Sequence, residues 1–214
     1  MLISRNALSI AKVAAADADD PTRGLNVLHV EPDGRVVATN GHLLIVATDR
    51  RREPSEDFPS AGLPELAAEL PAAVDIPVSV VDRLIKTIPK KQTIPVLGFV
   101  NVGVNGDGKQ AYAVATDLEY PTIAKLEQPA RRFPDWERVL PKTEDQEIVK
   151  LLISADMLAD LAKMAATCRA HKHAIGAVTF EIPIGEPEIL SAVRFTCGQG
   201  SDVDVHGVLM PCRG

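Results

Sequence analysis

Apolar and polar residues alternate with a period of two along three runs in each of three stretches of the chain, and a run of helical period precedes them each time. In the first stretch LIS leads into RNALSIAKVAAA, and GLNVLHVE, the turn PDG, RVVAT and HLLIVAT follow. In the second, AVDIPVS leads into VVDRLIKTI, which Pro89 stops, and then come LGFVNVGV, the turn NGDG, QAYAVAT and YPTIAKLE. In the third, KLLIS leads into ADMLADLAKMAATCRA, followed by AVTFEIPI, ILSAVRFTC and DVDVHGVLM. The predicted order is strand, helix and three strands, three times over, which makes the chain an α+β array of repeats. Serine ends each opening strand, at Ser4, Ser79 and Ser154, where its hydroxyl is placed to cap the helix that follows.

The spacing predicts one domain over residues 1–130, built of two repeats (1–50 and 74–128) joined by a loop at 51–73, with a short helix expected at PELAAEL. Residues 131–148 read as an interdomain linker and 149–214 as a single repeat. Within the linker, Phe133, Pro134, Trp136, Val139 and Leu140 are too apolar for a free tether, so this segment is expected to pack across a boundary.

With 214 residues and 46% hydrophobic content the chain can bury a sizeable core. Its apolar runs fall far short of the roughly 20 residues of a membrane span, and MLISRNALSIAK has no signal-peptide pattern, so a soluble, cytoplasmic protein is expected. Cys168, Cys197 and Cys212 are odd in number and lack C-x-x-C spacing, which suggests neither a disulfide framework nor a zinc knuckle.

A net charge of −6 speaks against a nucleic-acid partner unless the positive charge is segregated. It is segregated. Helices taken as 5–15, 80–92 and 155–173 carry +2, +3 and +1, leaving −12 on the remainder. Arg5, Ser9 and Lys12 share a stripe on the first helix, away from Leu8, Ala11 and Ala15. On the second helix Arg83, Lys86 and Lys90 lie opposite Leu84, Ile85 and Ile88. On the third, Asp156, Asp160 and Lys163 lie together, and Arg169 and Lys172 cluster at the C-terminal end, where cations are favoured in any case. Solvated charged faces are the plain reading; a basic helical surface on an acidic body, which holds a phosphate backbone without reading sequence, is the functional one.

Catalytic chemistry finds no anchor. There is no G-x-S-x-G, H-E-x-x-H, Walker loop or Rossmann fingerprint, and His42, just after the Asn40-Gly41 turn, has no nucleophile or orienting acid nearby in sequence. NGDG at 105–108 reads as a hairpin turn, since no helix follows it. The HKH at 171–173 lacks carboxylate partners for a metal, and DADD at 17–20 reads as a solvated loop before Pro21. Neither a cofactor nor a metal is expected.

Three segments, ATNGHLLIVA at 38–47, RRFPDWERVLP at 131–141 and VLMPCR at 208–213, together resemble the bacterial DNA polymerase sliding clamp, the beta subunit of DNA polymerase III. In that family a T-D-G-H-R-L hairpin, an F-P-D-Y-x-R-V-[LI]-P linker and a C-terminal V-M-P-M-R line one pocket. Each domain there is two strand-helix-three-strand units, with helices on one face, toward DNA, and antiparallel sheets on the other. The resemblance covers nearly the whole chain: repeats one and two correspond to a middle domain, repeat three to the second half of the last. A family ring has twelve such units, so three per chain implies four copies, closed by head-to-tail contacts, or a partner that supplies the rest.

The resemblance implies a processivity factor without catalytic residues that encircles or cradles duplex DNA and acts in DNA replication at the nucleoid. The faces toward DNA would carry Arg5, Lys12, Arg83, Lys86, Lys90, Lys91, Lys163, Arg169 and Lys172. A pocket of Leu25, Thr39, Gly41, His42, Leu44, Pro134, Arg138, Val139, Val208, Leu209, Met210, Pro211, Cys212 and Arg213 would take a short peptide from a polymerase, clamp loader or repair protein. Its apolar groove, with a flexible methionine and a proline, suits leucine and phenylalanine side chains of an extended peptide. Asn40, Leu43, Trp136 and Cys212 depart from the family's usual Asp, Arg, Tyr and Met. The alternative is a clamp-derived adaptor that keeps the pocket and does not encircle DNA; an enzyme using His42 or the HKH cluster is the remaining rival.

Overall fold

The structure is a computed structural model that describes residues 1–17, 24–50, 53–67, 69–90, 94–106, 108, 110–127, 132–140, 151–167, 176–182, 193–197 and 205–209. It divides into two compact units, Met1–Leu140 and Pro141–Gly214. Among the described residues, no helix is long and apolar enough to cross a membrane.

The first unit holds the first two repeats. Strand β1 (Leu2–Ser4) runs into helix α1 (Arg5–Lys12), followed by β2 (Val27–Val30), β3 (Val36–Thr39) and β4 (Leu44–Ala47). The second repeat gives β5 (Val74–Pro77), α2 (Val78–Thr87), β6 (Phe99–Val104), β7 (Ala111–Ala115) and β8 (Thr122–Leu126). Each repeat sends its opening strand into the other's sheet, giving the orders β1-β6-β7-β8 and β4-β3-β2-β5. Both exchanges are antiparallel: Ile3 stands opposite Val100, and Ile76 opposite Leu28. These four residues join one core with Leu8 and Ala11 of α1 and with Val81 and Leu84 of α2. Ile3, Leu8, Leu28, Ile76, Val81 and Leu84 are fully buried, at about 1.5–3 kcal/mol apiece, so neither repeat can shed the other cheaply.

Local chemistry sets the element ends. Ser4 Oγ accepts from the Ala7 N–H at 3.0 Å and donates to Asp49 at 2.5 Å, capping α1 as expected. The second helix departs from expectation: it starts at Val78, with Pro77 at the cap, and Ser79 lies inside its first turn. Pro77 makes no side-chain cap, and the Val78 N–H donates to Asn26 O at 2.9 Å. Ile88 turns to extended backbone ahead of Pro89, so α2 stops where the proline predicts and Lys90 lies beyond it.

The turns at PDG and NGDG are hairpins, with Gly34 and Gly108 at positive φ. No helix forms among the described residues of PELAAEL. Leu66 bridges Asn105 instead, and the Ala67 N–H donates to Val104 O at 2.9 Å. Gly103 permits that close approach, since a Cβ there would meet both Leu66 Cβ and Ala67 O at 2.9 Å.

The second unit holds α3 (Ala155–Thr167) and a sheet of order β11-β10-β9, with β9 Val178–Glu181, β10 Val193–Cys197 and β11 Val205–Leu209. Leu161, Val193 and Leu209 form its core. Gly207 faces Phe195 across β10 and β11, and a Cβ on it would stand 2.5 Å from the Phe195 ring. Ser154 Oγ accepts from the Met157 N–H at 3.2 Å, the expected cap. The expected opening strand does not form among the described residues: residues 151–154 pair with no described strand, although Leu151 and Ile153 pack against the core of this unit.

Candidate partner-binding surfaces

The linker motif FPDWERV lies within the first unit; residues 141–148 of the expected linker lie outside the described residues. Phe133 and Trp136 are buried against Val37, with Val27, Leu44 and Val46 packed around them. Strand alternation explains the seat. Leu28 and Val30 point into the main core, so Val27, His29 and Glu31 face outward, where the linker arrives.

His29 stacks on Phe133 with ring centroids 4.4 Å apart, its Nδ1 lies 2.6 Å from Asp75 Oδ1, and its Nε2 lies 3.4 Å from Glu31. The Trp136 indole N–H donates to Glu31 at 3.0 Å. Arg35 lies over the Trp136 ring at 4.8 Å and ion-pairs with Asp33 and Glu137, carboxylates that raise its pKa above the usual guanidinium value. Asp75, a buried carboxylate, thus has its partner opposite it on the neighbouring strand. Sequence reasoning passed over His29, Asp75, Glu31 and Arg35; the alternation in VLHVE, which puts two polar side chains on one face of a β-branched strand, was the available signal. Both nitrogens of His29 face carboxylates, so it fastens the linker and is not a base awaiting a nucleophile.

Of the expected pocket, the structure brings the hairpin and the linker together through Leu44, which packs with Phe133 and Trp136. Thr39 and Asn40 shape the hairpin tip. Gly41 has φ 89°, its N–H donates to Thr39 Oγ1 at 3.1 Å, and the N–H groups of His42 and Leu43 both donate to Asn40 Oδ1 at 2.9 Å. Asn40 therefore makes the turn with its side-chain oxygen. His42 is exposed at the tip, as are Pro134, Arg138 and Val139 on the linker, while Leu25 is buried. In the second unit Val208 is exposed and Leu209 is taken into the core. Met210, Pro211, Cys212 and Arg213 lie outside the described residues.

The helical face divides unequally. On α2, Ser79, Arg83 and Lys86 form one exposed stripe opposite the buried Val81 and Leu84. On α1 the exposed crest is Asn6, Ser9, Ile10 and Val13, with Ile10 and Val13 at 54% and 69% exposure. Arg5 and Lys12 flank that crest, half-buried, and Lys12 is ion-paired with Asp82 of α2. On α3, Lys163 is exposed and 3.1 Å from Asp160. Lys90 is exposed, and Lys91, Arg169 and Lys172 lie outside the described residues.

The β7–β8 connection is the second repeat's counterpart of the Asn40 hairpin. Asp117 accepts from the N–H groups of Tyr120 and Glu119, which hold its carboxyl below the usual range, and Leu118 beside it has φ 80°. No group of three His, Cys, Asp or Glu among the described residues is arranged to hold a metal ion, and the HKH segment lies outside them.

No family model matches the sequence, and no curated protein matches it. Solved structures do. A sliding clamp (DNA polymerase III subunit beta) from Pseudomonas aeruginosa, solved bound to griselimycin, superposes with a TM-score of 0.64 at 20% identity, over all of this chain and 51% of that one. The beta subunit from the DNA polymerase of Streptococcus pyogenes superposes with a TM-score of 0.57 at 15% identity, over all of this chain and 50% of that one. The chain has the α+β fold of the sliding clamps and spans about half the length of these structures.

Proposed function

We propose that this protein is a clamp-like processivity factor that holds duplex DNA by its backbone, without sequence preference, and tethers a replication or repair enzyme through a peptide. The observation that carries this reading is the exposed Ser79, Arg83 and Lys86 stripe, basic on a chain of net charge −6 that has the clamp fold. A hydroxyl and two cations along one helix face suit contact with phosphate oxygens, the contacts that hold a duplex without carrying sequence information. The protein does no chemistry of its own, and it works where DNA is, at the nucleoid. The peptide surface lies about the hairpin and linker, where Leu44, Pro134 and Val139 offer apolar contact, beside Arg138 in its ion pair with Asp135, to an extended segment bearing leucine or phenylalanine.

A second reading, an adaptor that binds the peptide and does not encircle DNA, draws support from α1. Its outer crest is apolar at Ile10 and Val13, and Lys12 is neutralised by Asp82.

One experiment separates the two. Association of the purified chain with a random-sequence duplex is compared with that of Arg83→Ala/Lys86→Ala. The clamp reading expects binding that the double variant weakens to a similar extent on any sequence, and equal binding by both proteins contradicts it. Absence of duplex binding, together with capture of a Leu/Phe peptide, selects the adaptor.

A further inference from the structure

Repeats one and two place equivalent residues in equivalent registers, and one pair breaks the match. Leu2 and Asp75 each stand two residues before a helix cap, on the strand that crosses into the other repeat's sheet, where they lie opposite Asn101 and His29. Leu2 joins an apolar cluster with Phe58 and Val114. At the matching position Asp75 brings a carboxylate to a place where its side chain is only 6% exposed, so the fold carries an acid where its twin carries leucine. Asp75 Oδ1 lies 2.6 Å from His29 Nδ1, and among the described residues no group donates to Oδ2. A buried carboxylate is stable when its lone pairs are satisfied, and half of this one is unused.

Asp75 lines a cleft of about 290 Å³ between the edge strand β5, the start of β7 and the end of β8. Two further acceptors line it. Gln110 donates from Nε2 to Leu126 O at 2.6 Å and to Ala111 O at 3.2 Å. Two carbonyl partners require a donor, so the other atom of that amide is its carbonyl oxygen, and no described residue donates to it. Glu127 is exposed and makes no ion pair among the described residues. Val74, Val104 and Leu126 supply apolar wall, and no Lys, Arg or His stands among the described residues of the lining. A lining of acceptors without a cation draws a cationic donor.

We propose that this cleft binds an alkylguanidinium group. Asp75 and Glu127 meet its charge, Gln110 Oε1 accepts a further N–H, and the apolar wall holds the alkyl stem. Guanidinium suits the cleft better than ammonium for two reasons. The acceptors arrive from three segments of chain, which a planar fork of five donors spans and a compact ammonium does not. Guanidinium is also the more weakly hydrated ion, so it loses less on entering beside a buried carboxylate. Pockets for drug-sized ligands run from about 300 to 1,000 Å³, so a cleft of this size takes one side chain or a molecule little larger. The site is separate from the duplex and peptide surfaces proposed above, and its test leaves both readings untouched.

Titration of the isotope-labelled full chain with butylguanidinium chloride, followed by amide NMR, tests the proposal, with the Gln110 side-chain amide as local reporter. Saturable shifts are expected at Gln110, Ala73 and Ala111, with butylammonium at equal ionic strength binding about tenfold more weakly. Asp75→Asn should weaken the guanidinium about tenfold, and the exposed Glu127→Gln about threefold. Glu127 does not touch His29, so its effect cannot come through the linker, and the Trp136 indole signal verifies that Asp75→Asn keeps the linker seated. The acetylated tripeptide amide Ala-Arg-Ala separates the sources: tighter binding than butylguanidinium assigns the group to an arginine of a partner protein, equal or weaker binding to a free alkylguanidine, and either keeps the site. Shifts that do not saturate, that lie elsewhere, or that persist unchanged in both variants overturn it. So does a gain of about tenfold in Lys109→Gln, which would mean that the adjoining lysine of the chain already serves the cleft.

Discussion

Trp136 stands where the resemblance leads one to expect tyrosine, and the structure gives the exchange a physical use. Its indole buries more apolar surface than a phenol, offers its N–H to Glu31, and presents a face to Arg35. Trp136→Ala should lower unfolding free energy by about 3 kcal/mol, read from the midpoint of a urea titration; a shift under about 1 kcal/mol would mean the linker is not fastened here. The apolar half of this anchor was legible in FPDWERV. Its polar half was not, because His29 and Asp75 are 46 residues apart and meet only through the exchange of β5 into the first repeat's sheet. Nothing local marks two residues that a crossover makes neighbours.

Helix and strand periods gave the element order of the first two repeats, and Pro89 gave the end of α2. What periodicity could not give was which sheet each opening strand joins. It also misjudged α1. A wheel drawn on Arg5, Ser9 and Lys12 finds a basic stripe, yet the packing of α1 on α2 rotates Ile10 and Val13 to the crest and brings Lys12 to Asp82. The ion pair makes a prediction with the opposite sign to the α2 substitutions. Asp82→Asn frees Lys12 and should strengthen duplex binding, raising the slope of log Kobs against log salt by about 0.9 if the released lysine reaches a phosphate. Binding unchanged or weakened would show that α1 takes no part in the DNA surface.

At the scale of the whole molecule, the repeat order together with three dispersed motifs was enough to reach the clamp fold, which the superpositions establish at 15–20% identity. Sequence identity that low carries the fold and not the function. The functional account therefore rests on how charge is distributed over that fold. Net charge is an unhelpful guide to such a protein: −6 for the whole chain coexists with an exposed stripe where the charged side chains are Arg83 and Lys86. The central claim is that duplex DNA is held by its phosphates without being read, and the salt dependence of binding to two duplexes of unrelated sequence tests it most directly. The account predicts affinities that fall linearly and steeply on a log–log plot, with slopes that coincide for the two sequences. Binding that ignores salt, differs between the sequences, or does not occur at low salt would contradict it.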